Sequence, residues 1–130
     1  MTLTILRSHI ALLDAYNVYS NKTSATLDTA TGFLYISPQQ YPNLQSLFFD
    51  IGGSSFELSP NAQIWPRSLN SAIGGTNDRL YLVVQSLGKS MPGMDFICGA
   101  VFMERFYTVL DTGSQQIGLA YTPYTFATTN

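Results

Sequence analysis

The chain has 130 residues, 6 Lys and Arg against 8 Asp and Glu, and is 45% hydrophobic and 13% aromatic. That length fits one ordinary domain, and the apolar content excludes a disordered chain, which is poor in aromatics and rich in charge. Six scattered basic residues make no phosphate-neutralising stripe, so no nucleic-acid partner is expected. The charged fraction, 11%, is under half of the usual ~25% and points to a secreted β protein or to a piece that rests on another surface. No stretch approaches about 18 consecutive apolar residues, so no membrane partner is expected either. The single Cys98 rules out an intrachain disulfide and a Cys-based zinc site, and no metal or other cofactor is expected.

Met1 to Leu13 is apolar but interrupted by Arg7 and His9, and it lacks the basic, apolar and small-residue order of a signal peptide. His9 to Tyr19 reads as a helix, with Ser8 as its N-cap. Ile10, Leu12, Leu13, Tyr16, Val18 and Tyr19 form its apolar stripe. Asn21-Lys22-Thr23 then breaks the pattern, and the chain beyond it reads as strand and turn. Phe33 to Ile36 is a strand, and Ser37-Pro38 starts a turn or short helical piece. Leu47 to Ile51 and Ser55 to Leu58 flank Gly52-Gly53-Ser54, a hairpin signal. Pro66 to Arg79 is rich in Gly, Asn and Ser and reads as the most mobile interior loop. Leu80 to Val84 has the continuous apolar pattern of a strand buried on both faces. Met94 to Cys98 is a further strand, and a short helical turn follows around Ala100 to Met103. Phe106 to Asp111 and Gln116 to Ala120 pair across a turn, and the Thr-rich tail from Tyr121 reads as frayed. The fold class is mostly β with one N-terminal helix.

Asp111-Thr112-Gly113-Ser114 spells the active-site tetrapeptide of aspartic proteases. That chemistry needs two carboxylates about 3 Å apart sharing one proton, one activating water while the other protonates the carbonyl. A one-domain chain could supply half of such a dyad and dimerise. In such a lobe, however, the Asp loop comes early, and a flap and a crossing hydrophobic strand come after it. Asp111 is followed only by a partner strand and a polar tail. Asp and Gly also favour turns in their own right, so Asp111 reads as a non-catalytic hairpin residue.

The same stretch carries a fuller match. Phe96-Ile97-Cys98-Gly99-Ala100-Val101-Phe102, then Phe106-Tyr107-Thr108-Val109-Leu110-Asp111 and Gly118-Leu119-Ala120, resembles the C-terminal signature of pepsin-type (family A1) aspartic proteases. Cys98 stands where the family has an aliphatic residue, and Ala100 where it usually has Asp. Leu47 to Pro60 is similar to a hairpin of the family's C-terminal lobe. Asn61 to Arg67 and Glu104 to Tyr107 look like its basidiomycete fungal branch. The resemblance covers residues 14–125, with 1–13 poorly matched and 126–130 a polar tail.

The resemblance implies the C-terminal lobe of the pepsin-like double-β-barrel fold. Ile97, Cys98 and Gly99 would then support an active-site loop. The family's second Asp-Thr-Gly precedes the helix placed at His9 to Tyr19, and no Asp-Thr-Gly occurs before Asp111. The expectation is therefore a truncated endopeptidase lobe, inactive alone, with neither carboxylate of the dyad. Its expected partner is an N-terminal lobe or a second copy, with peptide substrates only once completed. A non-catalytic interaction module is the alternative, and a homodimeric protease built on Asp111 the remote one. Secretion is implied by the family. Asn21-Lys22-Thr23 is an N-glycosylation acceptor pattern at Asn21. His9 has no ligand partner at useful spacing, and Cys98 reads as an inert buried thiol. Phe48, Phe49, Phe56, Phe96, Phe102 and Phe106 read as core, while Trp65 reads equally as an exposed contact or a strand-end anchor.

Overall fold

The computed structural model describes residues 8–86 and 98–129, with side chains described from residue 16 onward. Helix α1 spans Ser8–Thr23, longer than its apolar stripe. Asn21-Lys22-Thr23 forms its last turn rather than a break. The Thr23 hydroxyl donates back to the Tyr19 carbonyl at 2.8 Å and the Ser20 carbonyl at 3.2 Å. The chain leaves through Ser24 at φ 53. There the Ser24 N–H meets the Asn21 carbonyl at 3.2 Å and the Ala25 N–H meets the Ser20 carbonyl at 3.1 Å. This is the Schellman closure, with Ser where Gly is usual. Tyr19 is buried, but Val18, placed in the same stripe, is 50% exposed, because neighbours on a helix point to different sides. The side chains of His9, Ile10, Leu12 and Leu13 lie outside the described set.

Strands β1 (Thr26–Leu27), β2 (Leu34–Ile36) and β5 (Leu80–Leu82) form an antiparallel sheet in the order β1-β2-β5. Every residue of β5 is buried, as its continuous apolar run requires. Leu34 faces Leu82 and Ile36 faces Leu80 across the ladder. These four join Tyr19, Leu44 and Ile64 in one core cluster.

Strands β3 (Leu47–Ile51) and β4 (Ser54–Leu58) make the expected hairpin. Its turn residues Gly52 and Gly53 take φ 58 and 82, the left-handed pair of a type I′ turn. The alternation of β3 turns Ile51 inward and leaves Phe48 62% exposed, so Phe48 is not core. Helix α2 (Ala100–Met103) leads into β6 (Phe106–Asp111), which pairs with β7 (Gln116–Tyr121). Phe102 and Phe106 join Ile51, Phe56, Leu58 and Ala62 in a second cluster, against which Phe49 packs. Ring centroids there lie 4.6 Å apart for Phe102–Phe106 and 5.7 Å for Phe56–Phe106. Phe96, and the strand expected over Met94 to Cys98 up to Ile97, lie outside the described residues.

Two segments are better ordered than their composition implies. The loop after Pro66 contains a 3-10 helix, Arg67–Ile73, closed by Gly74 at φ 74. Asn70 is fully buried, and its amide N–H groups donate to the Thr76 carbonyl at 2.8 Å and the Arg79 carbonyl at 3.1 Å. The tail is tied down as well. Thr125 is fully buried and its hydroxyl donates to the Arg105 carbonyl at 2.5 Å. The Arg105 guanidinium returns bonds to the Ala127 carbonyl at 2.7 Å and the Asn61 side chain at 3.1 Å. A buried hydroxyl and a clamped guanidinium outweigh the frayed reading. Trp65 resolves as an anchor: its backbone N–H donates to the Tyr81 carbonyl at 2.8 Å, and its indole packs 5.8 Å from the Phe33 ring.

Candidate functional site

Asp111 ends β6, opposite Gln116, and its carboxylate accepts the Ser114 N–H at 3.0 Å. The Ser114 backbone first, then the Ser114 side chain and the Gly113 N–H, hold it below the usual carboxylate range. All of those influences come from its own turn. The lowered value is what a turn carboxylate bonded to its own loop shows, and the carboxylate is directed into that turn. The Asp50-Ile51-Gly52 triplet likewise sits at the end of β3 and on its turn. Among the described residues no group of three or more His, Cys, Asp and Glu is placed to hold a metal ion.

Of Ile97, Cys98 and Gly99, Ile97 lies outside the described residues. Cys98 is half-buried against the second cluster, and burial pushes its thiol up to about 11, so it is a poor thiolate at neutral pH. Gly99 caps α2, its carbonyl accepting the Phe102 and Met103 N–H groups at 3.1 and 3.2 Å. Asn21 is exposed on the last turn of α1.

Three features have no forewarning in the sequence pattern. The first is a polar knot on the β1-β2-β5 sheet. Asp28 accepts the Arg79 guanidinium at 2.8 Å and the Tyr81 hydroxyl at 3.0 Å, and the Ala30 N–H at 2.9 Å. The Ala30 bond, then Tyr81 and Arg79, lower the Asp28 pKa against some loss of hydration. Arg79 also lies 4.1 Å over the Tyr35 ring. The second is Gln63, fully buried, which accepts the Tyr19 hydroxyl at 3.0 Å and donates to the Gln45 and Leu58 carbonyls at 2.9 and 3.0 Å. That network joins α1 to the strands, and burial raises the Tyr19 hydroxyl pKa.

The third is an apolar surface. The β6–β7 hairpin runs past the core, leaving Tyr107 64%, Val109 46%, Leu110 70% and Ile117 41% exposed. Tyr121, 49% exposed, stacks at 5.8 Å on Phe126, which is 53% exposed. By strand alternation Tyr107 and Val109 point to one face of the hairpin, and Leu110 with its cross-strand partner Ile117 to the other, so exposed apolar side chains stand on both faces. Every β6 residue from Tyr107 to Leu110 except Thr108 is apolar, but strand periodicity assigns one of the two faces to the core.

Comparison with known proteins accounts for this geometry. The sequence model described as eukaryotic aspartyl protease matches residues 6–122. The chain is 52% identical over 130 residues to polyporopepsin of Irpex lacteus, a basidiomycete, covering 99% of this chain and 37% of that protein. It is 32% identical over 85 residues to cathepsin E of Rattus norvegicus, covering 59% of this chain and 18% of that protein. The crystal structure of aspartic proteinase from Irpex lacteus superposes on the whole chain with a TM-score of 0.85 and 52% identity, over 37% of its own length. The chain thus spans under two fifths of these relatives, and its mostly β fold is that of a part of the pepsin-like architecture. By that agreement of sequence and fold, the chain belongs to the eukaryotic aspartyl protease family.

Proposed function

We propose that these residues act as the C-terminal lobe of a secreted aspartic endopeptidase and hydrolyse no peptide by themselves. The observation that carries this is the superposition over the whole chain on a part of an aspartic proteinase. The reaction needs two carboxylates that share a proton. Asp111, the one Asp-Thr-Gly carboxylate of the 130 residues, is turned into its own hairpin turn. Catalytic carboxylates therefore come from residues other than these described ones. Ile97, Cys98 and Gly99 support the loop that would carry one of them, Cys98 through its packing on the second cluster.

The partner lobe docks on the face of the β6–β7 hairpin that carries Leu110 and Ile117. Apolar strands that project past their own core need a cover. The N-terminal lobe of the same protease supplies it, with peptide substrate lying between the two lobes. The low charge supports this: 14 charged residues in 130 leave much of the surface apolar or neutral.

The test is cleavage of an acid-denatured protein at about pH 3, between the pKa values of a pepsin dyad, about 1.5 and 4.7. The chain alone should be inactive. Together with the N-terminal lobe of the Irpex lacteus enzyme and an Asp-Thr-Gly segment joined ahead of α1, it should cleave, and Asp111→Asn should leave the rate unchanged. Cleavage by the chain alone that Asp111→Asn abolishes would establish the homodimeric alternative instead.

A further inference from the structure

Asn21-Lys22-Thr23 is the single Asn-x-Ser/Thr pattern in the chain. Lys22 occupies the middle position and Ser24 follows, so no Pro blocks it. The structure places Asn21 on the exposed side of the last turn of α1. Tyr19, two residues earlier, faces the first core cluster, and Thr23 closes the helix end. We infer that Asn21 carries an N-linked oligosaccharide. This rests on the proposed passage of the chain through the secretory pathway, where the modification occurs.

The chemistry balances with one donor of stated class, an oligosaccharide on a lipid diphosphate. The Asn21 amide nitrogen attacks the anomeric carbon. A C–N bond forms, the C–O bond to the diphosphate breaks, the amide loses one proton and the lipid diphosphate leaves. The folded pattern is a poor acceptor for this step. In the fold the Thr23 hydroxyl is bound to the Tyr19 carbonyl at 2.8 Å, within a helix. The transferase needs that hydroxyl and the Asn amide converging on itself, from an extended segment. Transfer therefore precedes closure of α1, on the chain as it enters the compartment. The finished fold has to tolerate the product, and it does. Asn21 points to solvent, and α1 is packed on the first cluster, whereas the apolar β6–β7 hairpin grows from the second. A glycan at Asn21 leaves that hairpin free to receive a partner lobe.

An open cleft of about 520 Å³ lies beside the helix end, lined by Val18, Tyr19, Lys22, Thr23, Leu47 and the segment before it. Val18 in its wall is 50% exposed. Asn21 is not among the residues that line the cleft.

The experiment is expression of the chain behind a yeast secretion leader, with only protein recovered from the medium analysed. Such protein has passed through the pathway. It should run as a heavier species that endoglycosidase H converts in a single downward step. Asn21→Gln should abolish that step, and so should Thr23→Val. Thr23→Ser, which keeps the acceptor pattern, should retain it at reduced occupancy. Both Asn21→Gln and Thr23→Ser keep ordinary helical residues, so secreted protein is expected from each. Medium protein with no endoglycosidase-sensitive step overturns the inference and leaves the protease reading standing. A step that survives Asn21→Gln also overturns it. A correctly glycosylated chain that carries an Asp-Thr-Gly segment joined ahead of α1 and still fails to restore peptide cleavage with an N-terminal lobe overturns the protease reading instead.

Discussion

Gln63 is a buried amide whose removal leaves three groups without a partner. It satisfies the Tyr19 hydroxyl and the carbonyls of Gln45 and Leu58. Gln63→Leu keeps the volume and removes all three bonds. The expected loss is about 3 kcal/mol or more in urea unfolding, because buried polar groups left unsatisfied cost about 1–3 kcal/mol each. Tyr19→Phe made on top of Gln63→Leu should cost less than Tyr19→Phe alone. Additive losses would show that the two side chains are not coupled. Asp28 gives a prediction in pH. Its folded pKa is lowered, first by the Ala30 N–H and then by Tyr81 and Arg79. A lowered carboxylate stabilises above its unfolded pKa, about 3.9, and that contribution is lost as pH falls through the lower folded value. Asp28→Asn should therefore melt below the parent at pH 6 and converge with it toward about pH 2. A constant gap across that range would mean the carboxylate charge contributes nothing. Apart from Ala30, two residues on from Asp28, the key partners are not legible in the sequence, since Asp28 and Arg79, or Tyr19 and Gln63, lie dozens of positions apart and no periodicity links them.

Elements divide by how local their causes are. The β3–β4 hairpin is readable because Gly52-Gly53 alone supplies the positive φ values of its turn. Strand β5 is readable because three buried positions in a row need three apolar residues. The end of α1 is not, because its closure uses Ser24 in a left-handed conformation that usually signals Gly. Ser24→Gly should accordingly raise stability, by about 0.5–1 kcal/mol, since a non-glycine residue pays about 1–2 kcal/mol there and glycine returns part of that as chain entropy. A lower melting temperature for Ser24→Gly would count against the Schellman closure. The tail misleads for the opposite reason. Its Thr and Ala residues look loose in sequence, while Arg105 and the buried Thr125 hold them from a distance. Arg105→Ala should release the segment, seen as faster amide exchange at Thr125 and Ala127 with the β3–β4 amides unchanged. Equal protection before and after would refute the clamp.

At the scale of the molecule, both the fold and the turn placement of Asp111 are legible in the sequence. The signature around Gly99 and along β6 and β7 identifies the lobe because its residues lie in one continuous stretch. The catalytic question turns on geometry. Asp111 spells half of a dyad but its place in the sequence already reads as a hairpin residue, and in the fold it is a turn carboxylate bonded to Ser114. The same hairpin exposes Tyr107, Val109, Leu110 and Ile117, an apolar projection that a net charge of −2 does little to keep apart from copies of itself. The chain on its own should therefore self-associate in the micromolar range, where a modest apolar contact already contributes about 8 kcal/mol. Light scattering coupled to size exclusion should show a mass that rises with concentration. Leu110→Lys, at a position 70% exposed and outside both core clusters, should return the chain to a monomer without lowering its melting temperature. Adding the N-terminal lobe of the Irpex lacteus enzyme should also reduce the self-association, because both partners compete for one surface. A monomer at every concentration would show that the hairpin needs no cover, and the docking role assigned to it would fall with that result.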